Sequence, residues 1–184
     1  MAVDREKFYR LYKKYVLESL TELLQTQLEK ECAVGTGKLW KYISDLVVSG
    51  VYSHVYDVYK PKVYQRRAKN GGLADPRNVI VTVGQCSMTE TDGEAPIGIL
   101  NTTMPGLGDG GGDFIDDDII AGTGYRFAHY DRRKQFSRPR NFYETYDEEY
   151  DEEYAGNIIL QAIIGKYQEL VNNAYTKALA ASTK

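Results

Sequence analysis

The sequence predicts an α+β fold with long N-terminal helices, a small antiparallel sheet carrying a long mobile loop, and a C-terminal helix. Three observations point there. Apolar residues recur at intervals of three and four near both ends of the chain, branched residues follow one another over 78–83, and glycine dominates 105–113. With 184 residues and 42% hydrophobic content, the chain fits one domain, 1–184, with a core of modest size. Within it lie a helical region over 4–60, a sheet with its glycine-rich loop over 78–125, a basic loop over 126–140, and an acidic segment with the C-terminal helix over 142–180.

The first helix rests on Phe8, Leu11, Tyr12, Tyr15, Val16, Leu20, Leu23, Leu24 and Leu28, which form a helical stripe. Asp4 is placed to cap its start, and Lys7, Lys13, Lys14, Glu18, Glu22 and Glu29 form the solvated face. The stretch 33–37 breaks this helix. Thr36 is read as the cap of a second, with Leu39, Trp40, Ile43, Leu46, Val47, Val51, Val55 and Val58 down one side and Pro61 beyond its end. Gly50 and the run of valines leave part of 46–59 open to a strand reading. Asn70-Gly71-Gly72 signals a turn. Strands follow over 78–83 and 95–104, and 91–94 turns the chain between them into a hairpin. The glycine-rich 105–113 stretch buries too little to hold one conformation until something docks on it. After the loop, Phe142, Tyr146, Tyr150, Tyr154 and Ile158 repeat at four and lead into one closing helix, with Gly156 and Gly165 as its weak points.

A net charge of -3 and a pI near 5.5 argue against a chain whose main task is to grip nucleic acid, because neutralising phosphates takes an excess of Lys and Arg. Cys32 and Cys86 stand far apart without metal-ligand or redox spacing and read as free, buried thiols. The N-terminus is charged from residue 4 and lacks the apolar core of a signal peptide, and no uninterrupted apolar window reaches membrane-spanning length. Synthesis in the cytoplasm is therefore expected. Tyrosine is over-represented, 16 against 5 phenylalanines, which favours surfaces buried against other proteins.

Charge inverts abruptly around 138–143. Arg126, Arg132, Arg133, Lys134, Arg138 and Arg140 precede the pivot; Glu144, Asp147, Glu148, Glu149, Asp151, Glu152 and Glu153 follow it. If copies stand side by side, the basic loop of one is suited to meet the acidic segment of its neighbour. The expected contact residues are Arg126, Arg132, Arg133, Lys134, Arg138, Arg140, Phe142, Tyr143, Glu148, Glu149 and Glu152. Three alternatives stay open: both blocks are ordinary solvated surface, the two blocks pair within one chain, or the basic loop, with its interleaved aromatics, is a nucleic-acid-binding module.

Sites for chemistry are sparse. Gly35-Thr36-Gly37-Lys38 lacks the spacing of a phosphate loop, and Leu39 stands where a magnesium-binding hydroxyl is needed. Asp109, Asp113, Asp116, Asp117 and Asp118 do not match a calcium loop. His54 and His129 are the only histidines, and no nucleophile elbow is present. The expectation is no enzyme, no cofactor and no bound metal.

The stretch Gly35-Thr36-Gly37-Lys38-Leu39-Trp40-Lys41-Tyr42-Ile43 resembles the Thr-Gly-Arg-Leu-x-x-Ser-Ile segment of the tail-completion (head-tail joining, neck) proteins of long-tailed bacteriophages, with Tyr42 in place of the serine. Residues 121–124 are similar to that family's glycine-bearing segment before its long loop. Arg138-Pro139-Arg140-Asn141-Phe142 is similar to its arginine-proline-aromatic motif, and 59–67 resembles a Tyr-x-Pro-x-x-Tyr-x-Arg signature of small phage structural proteins. The resemblance implies a non-enzymatic virion subunit, made in the host cytoplasm. It would form a ring, a hexamer in the usual case, between the portal-adaptor and tail-tube proteins. Genomic DNA would pass through the ring without specific recognition, no membrane would be involved, and an acidic segment facing the lumen would let the phosphates slide.

Overall fold

The computed structural model describes residues 3–58, 70–103 and 140–183. Along the chain these form α1 (Arg5–Glu31), α2 (Lys38–Gly50) continued by a π-helical turn (Val51–Tyr56), a 3-10 turn (Pro76–Asn78), β1 (Val79–Val83), β2 (Ser87–Met88), β3 (Gly93–Glu94), β4 (Ile97–Asn101), α3 (Glu144–Glu149) and α4 (Glu152–Ser182). The fold is mixed helix and sheet. The chain divides into two compact units. The first takes Met1–Cys32, Val83–Gly98 and Glu152–Lys184; the second takes Ala33–Thr82 and Ile99–Asp151. Each unit joins segments far apart in sequence, which composition alone does not reveal.

In the first unit α1 and α4 pair as an antiparallel arm. Asp4 caps α1 as expected, its Oδ1 accepting from the Lys7 amide at 3.1 Å. The far end of α4 comes back to this cap: the Asp4 amide donates to the Ser182 carbonyl at 3.1 Å, and Val3 bridges Thr183. Ala155, Leu170, Ala174 and Ala178 supply α4's buried positions. Gly156 and Gly165 do not interrupt α4, and a side chain at either would meet open space. Beside α1 lies a ribbon in which Ser87 pairs with Glu94 and Met88 with Gly93. Its tip is closed by Thr89, whose Oγ1 accepts from the Asp92 amide at 2.9 Å. The hairpin expected from strands over 78–83 and 95–104 is thus interrupted: the residues between them form this separate ribbon, in which 93–94 is strand and not turn, docked through the Cys86 amide, which donates to Gln25 Oε1 at 2.8 Å. Cys32 and Cys86 are free and buried. Burial first, and the Glu31 charge second, push the Cys32 thiol up to about 11, and burial with Glu29 raises Cys86. Both therefore stay protonated and poorly nucleophilic.

In the second unit Gly35, at φ 79°, makes the left-handed turn that separates α1 from α2. Thr36 does not cap α2 as the sequence suggests. The N-cap is Gly37, which has no side chain to offer, and its amide donates to the Ala33 carbonyl at 2.8 Å. The strand alternative for 46–59 also gives way. Val47, Val51 and Val55 keep a spacing of four, and all three are buried at 7% exposure or less. A single helical face that buries this completely outweighs the strand preference of valine. Trp40 reaches across, its Nε1 donating to the Val79 carbonyl at 2.7 Å.

Strands β1 and β4 pair in a two-stranded sheet. At one end of it, Thr102 donates from its amide to the Asn78 carbonyl at 2.7 Å. A polar clasp holds the neighbouring loop. Asp75, 1% exposed, accepts from the amides of Gly71 and Arg77 and from both Nε and NH2 of Arg77, while Asn101 donates to the Leu73 carbonyl. The Arg77 fork and the two amides hold the Asp75 carboxyl down at about 2, against the opposing effect of burial.

The closing helix expected over 142–180 is two helices. Tyr150 leaves helical geometry with ψ 118°, and α4 starts afresh at Glu152. A continuous helix would set Glu148 over Glu152 and Glu149 over Glu153 at the i,i+4 spacing where like charges repel. The break separates those pairs and places Glu152 and Glu153 in the first turn of α4, where the helix dipole favours them.

Candidate interaction surface

The expected contact residues fall in three groups. Arg126, Arg132, Arg133, Lys134 and Arg138 lie outside the described residues, as do the glycine-rich stretch, the aspartates of 109–118 and the 59–67 motif. Arg140 and Tyr143 are half-buried, and Glu148, Glu149 and Glu152 are exposed. Phe142 has to be corrected: at 0% exposure it is a core side chain and offers no surface to a partner. Its backbone also passes close to α2, where any Cβ at Gly50 would strike the Phe142 carbonyl. The pivot is thus an anchor that fixes where the acidic segment begins.

Further contacts hold that segment. Asn141 Oδ1 accepts from the Tyr143 amide at 3.2 Å, which shapes the turn into α3. Thr145 is buried, and its Oγ1 lies 3.2 Å from His54 Nε2, while His54 Nδ1 sits 3.8 Å from Glu144. The tautomer with its proton on Nδ1 suits both neighbours, and the arrangement is a clamp between the π-helical turn and α3. At the other end, the Tyr42 hydroxyl donates to the Glu149 carbonyl at 3.3 Å and accepts from the Asp151 amide at 2.8 Å, spanning the break between α3 and α4. Tyr42 stacks on Tyr150 with ring centres 5.9 Å apart, and Tyr150 meets Tyr146 at 4.9 Å.

The tyrosines turned toward α2 leave the carboxylates outside. Asp147, Glu148 and Glu149 are exposed and make no ion pair among the described residues. Chemically this is an acidic surface on a fixed seat: it repels phosphate and attracts cationic side chains. Tyr42, the residue that replaces the serine of the phage motif, organises this seat. The sequence contains one sign of that role, an aromatic at a position shared with helix spacing, but its partners are more than a hundred residues away.

A second surface was not singled out from the sequence. In the first unit Phe8 stacks on Tyr12 at 5.9 Å and meets Tyr175 edge-on at 5.3 Å, and Tyr9, 64% exposed, lies 5.5 Å from Phe8. Around these rings, residues 5–14 carry five cations and one anion. The signal was available as that local charge excess within a chain that is acidic overall.

No group of three or more His, Cys, Asp or Glu side chains among the described residues is placed to hold a metal ion. No described helix is long and apolar enough to cross a membrane. No curated protein and no solved structure matches the chain. The YomN family model matches residues 12–178, which takes in most of both helices of the arm, the sheet and the acidic seat, so the chain belongs to the YomN family, a phage-derived family.

Proposed function

We propose that this chain is a non-enzymatic structural subunit of a phage particle, a neck or tail-completion protein that forms a ring, hexameric in the simplest case, and passes DNA from the portal side to the tail. The observation that carries this reading is the exposed acidic seat on α3, rigidly held by Phe142, Thr145 and Tyr42. Rigid exposed carboxylates such as Asp147, Glu148 and Glu149, which make no ion pair among the described residues, suit a subunit that must meet a basic surface of a neighbour or hold phosphates at a distance. The phage-derived family supports the virion setting. The partners in this reading are copies of the same chain, the portal-adaptor protein above and the tail-tube protein below.

Cryo-electron microscopy of purified phage particles tests it. The chain traced as a ring at the head-tail junction is the expected result. Its absence from the particle, or its presence only outside the junction, overturns the neck assignment.

A further inference from the structure

We propose that the acidic seat on α3 of one copy docks against the basic, aromatic end of α1 on the next copy, and that this heterologous contact is what closes the ring. The inference rests on the ring reading above but names a contact that the sequence assigned elsewhere, to the loop over 126–140.

The two surfaces match in charge. Lys7 and Arg10 make no ion pair among the described residues, and with Lys14 they follow one face of α1 at intervals of three and four. Lys13 and Lys14 are held by Glu90 at 3.1 Å and Glu18 at 3.6 Å, with every one of these side chains more than half exposed. Such pairs contribute little and exchange readily for a neighbour's carboxylate. Opposite them stands a run, 144–153, with seven carboxylates and no cation.

The surfaces also match in size and in character. From Lys7 to Lys14 the helix rises roughly 10 Å, and α3, six residues long, spans about 9 Å. Arg10, Lys13 and Lys14 line a shallow groove together with Met88 and the two exchangeable carboxylates Glu18 and Glu90. Tyr9 and Tyr175, 64% and 50% exposed, belong to the ring cluster on Phe8 at the same end of α1 and lack the burial their rings favour. Tyrosine anchors beside complementary charge are the composition of protein contacts, and the acidic surface has Tyr146 and Tyr150 beneath it in the same combination.

Two different patches on one chain allow a head-to-tail contact, which closes into a ring or runs on as a filament. Nucleic acid is the other polyanion suited to the α1 surface. A second copy fits better, because the opposing acidic patch is present on the same molecule at the same length.

The test uses the full chain and two charge-reversed variants, K7E/R10E and E148K/E149K, at exposed positions with no ion pair among the described residues. Sedimentation velocity is measured at concentrations up to about 100 µM, at low salt and at roughly 0.5 M salt, where the screening length falls to a few ångströms. The unaltered chain is expected to associate at low salt and disperse at high salt. Each variant alone is expected to weaken association at least about tenfold, and an equimolar mixture of the two is expected to restore it, since each reversed patch then meets its complement. Retained association in both variants overturns this contact while leaving the ring reading standing. A monomer for the unaltered chain at every condition also overturns it. So does binding of a single-stranded DNA oligonucleotide that K7E/R10E abolishes without any change in self-association, which would assign the α1 surface to nucleic acid. Failure of the ring reading itself is separate and is read from the particle.

Discussion

Helices α1 and α2 both carry apolar stripes at helical spacing, but they bury them to different depths. Of the nine apolar positions of α1 that define its stripe, Leu28 alone is buried and the other eight are half-buried. Of the eight apolar positions expected on α2 and its continuation, Leu39, Trp40, Ile43, Val47, Val51 and Val55 are at 7% exposure or less, Leu46 is half-buried, and Val58, just past the π-helical turn, is exposed. The difference lies in the number of layers. In the first unit α1 meets α4 and a small ribbon, whereas in the second α2 is covered by the sheet on one side and by Phe142 and α3 on another. Periodicity therefore reports which side of a helix is apolar, and the number of covering elements decides how much water that side loses. A half-buried stripe is also the kind of surface an assembly completes.

Four substitutions sharpen this contrast, taken from the largest expected effect to the smallest. Phe142→Ala removes a ring at 0% exposure and should destabilise the second unit by about 3–5 kcal/mol, read by denaturant unfolding. A loss below about 1 kcal/mol would mean that the deep core of this unit does not control its stability. Asp75→Asn breaks a buried charge-assisted fork and should cost about 2 kcal/mol near neutral pH. Its pH signature is distinct. The folded carboxyl is held at about 2, below the ordinary 3.8, so its stabilisation is present above pH 3.8 and disappears as pH falls toward 2. Acid titration of unfolding should be flatter across that window in Asp75→Asn than in the parent, and identical slopes would count against the fork.

On the arm, Leu20→Ala should cost about 1–2 kcal/mol, less than the 2–5 kcal/mol typical of a fully buried leucine, because the residue is only half-buried. A larger loss in the isolated chain would show a depth of packing in α1 that the structure lacks. A loss that grows with protein concentration would show that another copy completes the stripe. Tyr42→Phe keeps the ring stack on Tyr150 and deletes only the hydroxyl bridge to Glu149 and Asp151, for about 1 kcal/mol. Amide exchange at Asp151 should speed up in this variant, and unchanged protection there would remove the hydroxyl from its role in fixing the acidic seat.

Much of the secondary structure was legible in the residues. The Asp4 cap, the α1 stripe and the strand over 78–83 follow from local chemistry that acts within a few positions. Legibility failed where a distant partner decided the outcome. Thr36 is a good cap by type, yet the chain starts α2 at Gly37. Tyrosines at intervals of four promise a single closing helix, yet the carboxylates between them and the Tyr42 bridge break it at Tyr150. Phe142 looks like part of a contact surface beside its arginines, and a backbone approach that only Gly50 permits draws it inside.

The candidate surface shows the same division. Its charge was readable, since seven carboxylates in ten residues need no coordinates to be found. Its support and its complement were not, because Tyr42 lies more than a hundred residues from Asp151 and Tyr175 is far from the Phe8 ring it meets. By itself the sequence determined the α+β class, the helical stripes, the free thiols and the sign of the charged segments, all set by interactions within a turn or two of helix or by composition. Tertiary structure alone decided the division into two units, the break between α3 and α4, and the pairing of tyrosines under an acidic face. Each of those depends on which distant segments exclude water from one another.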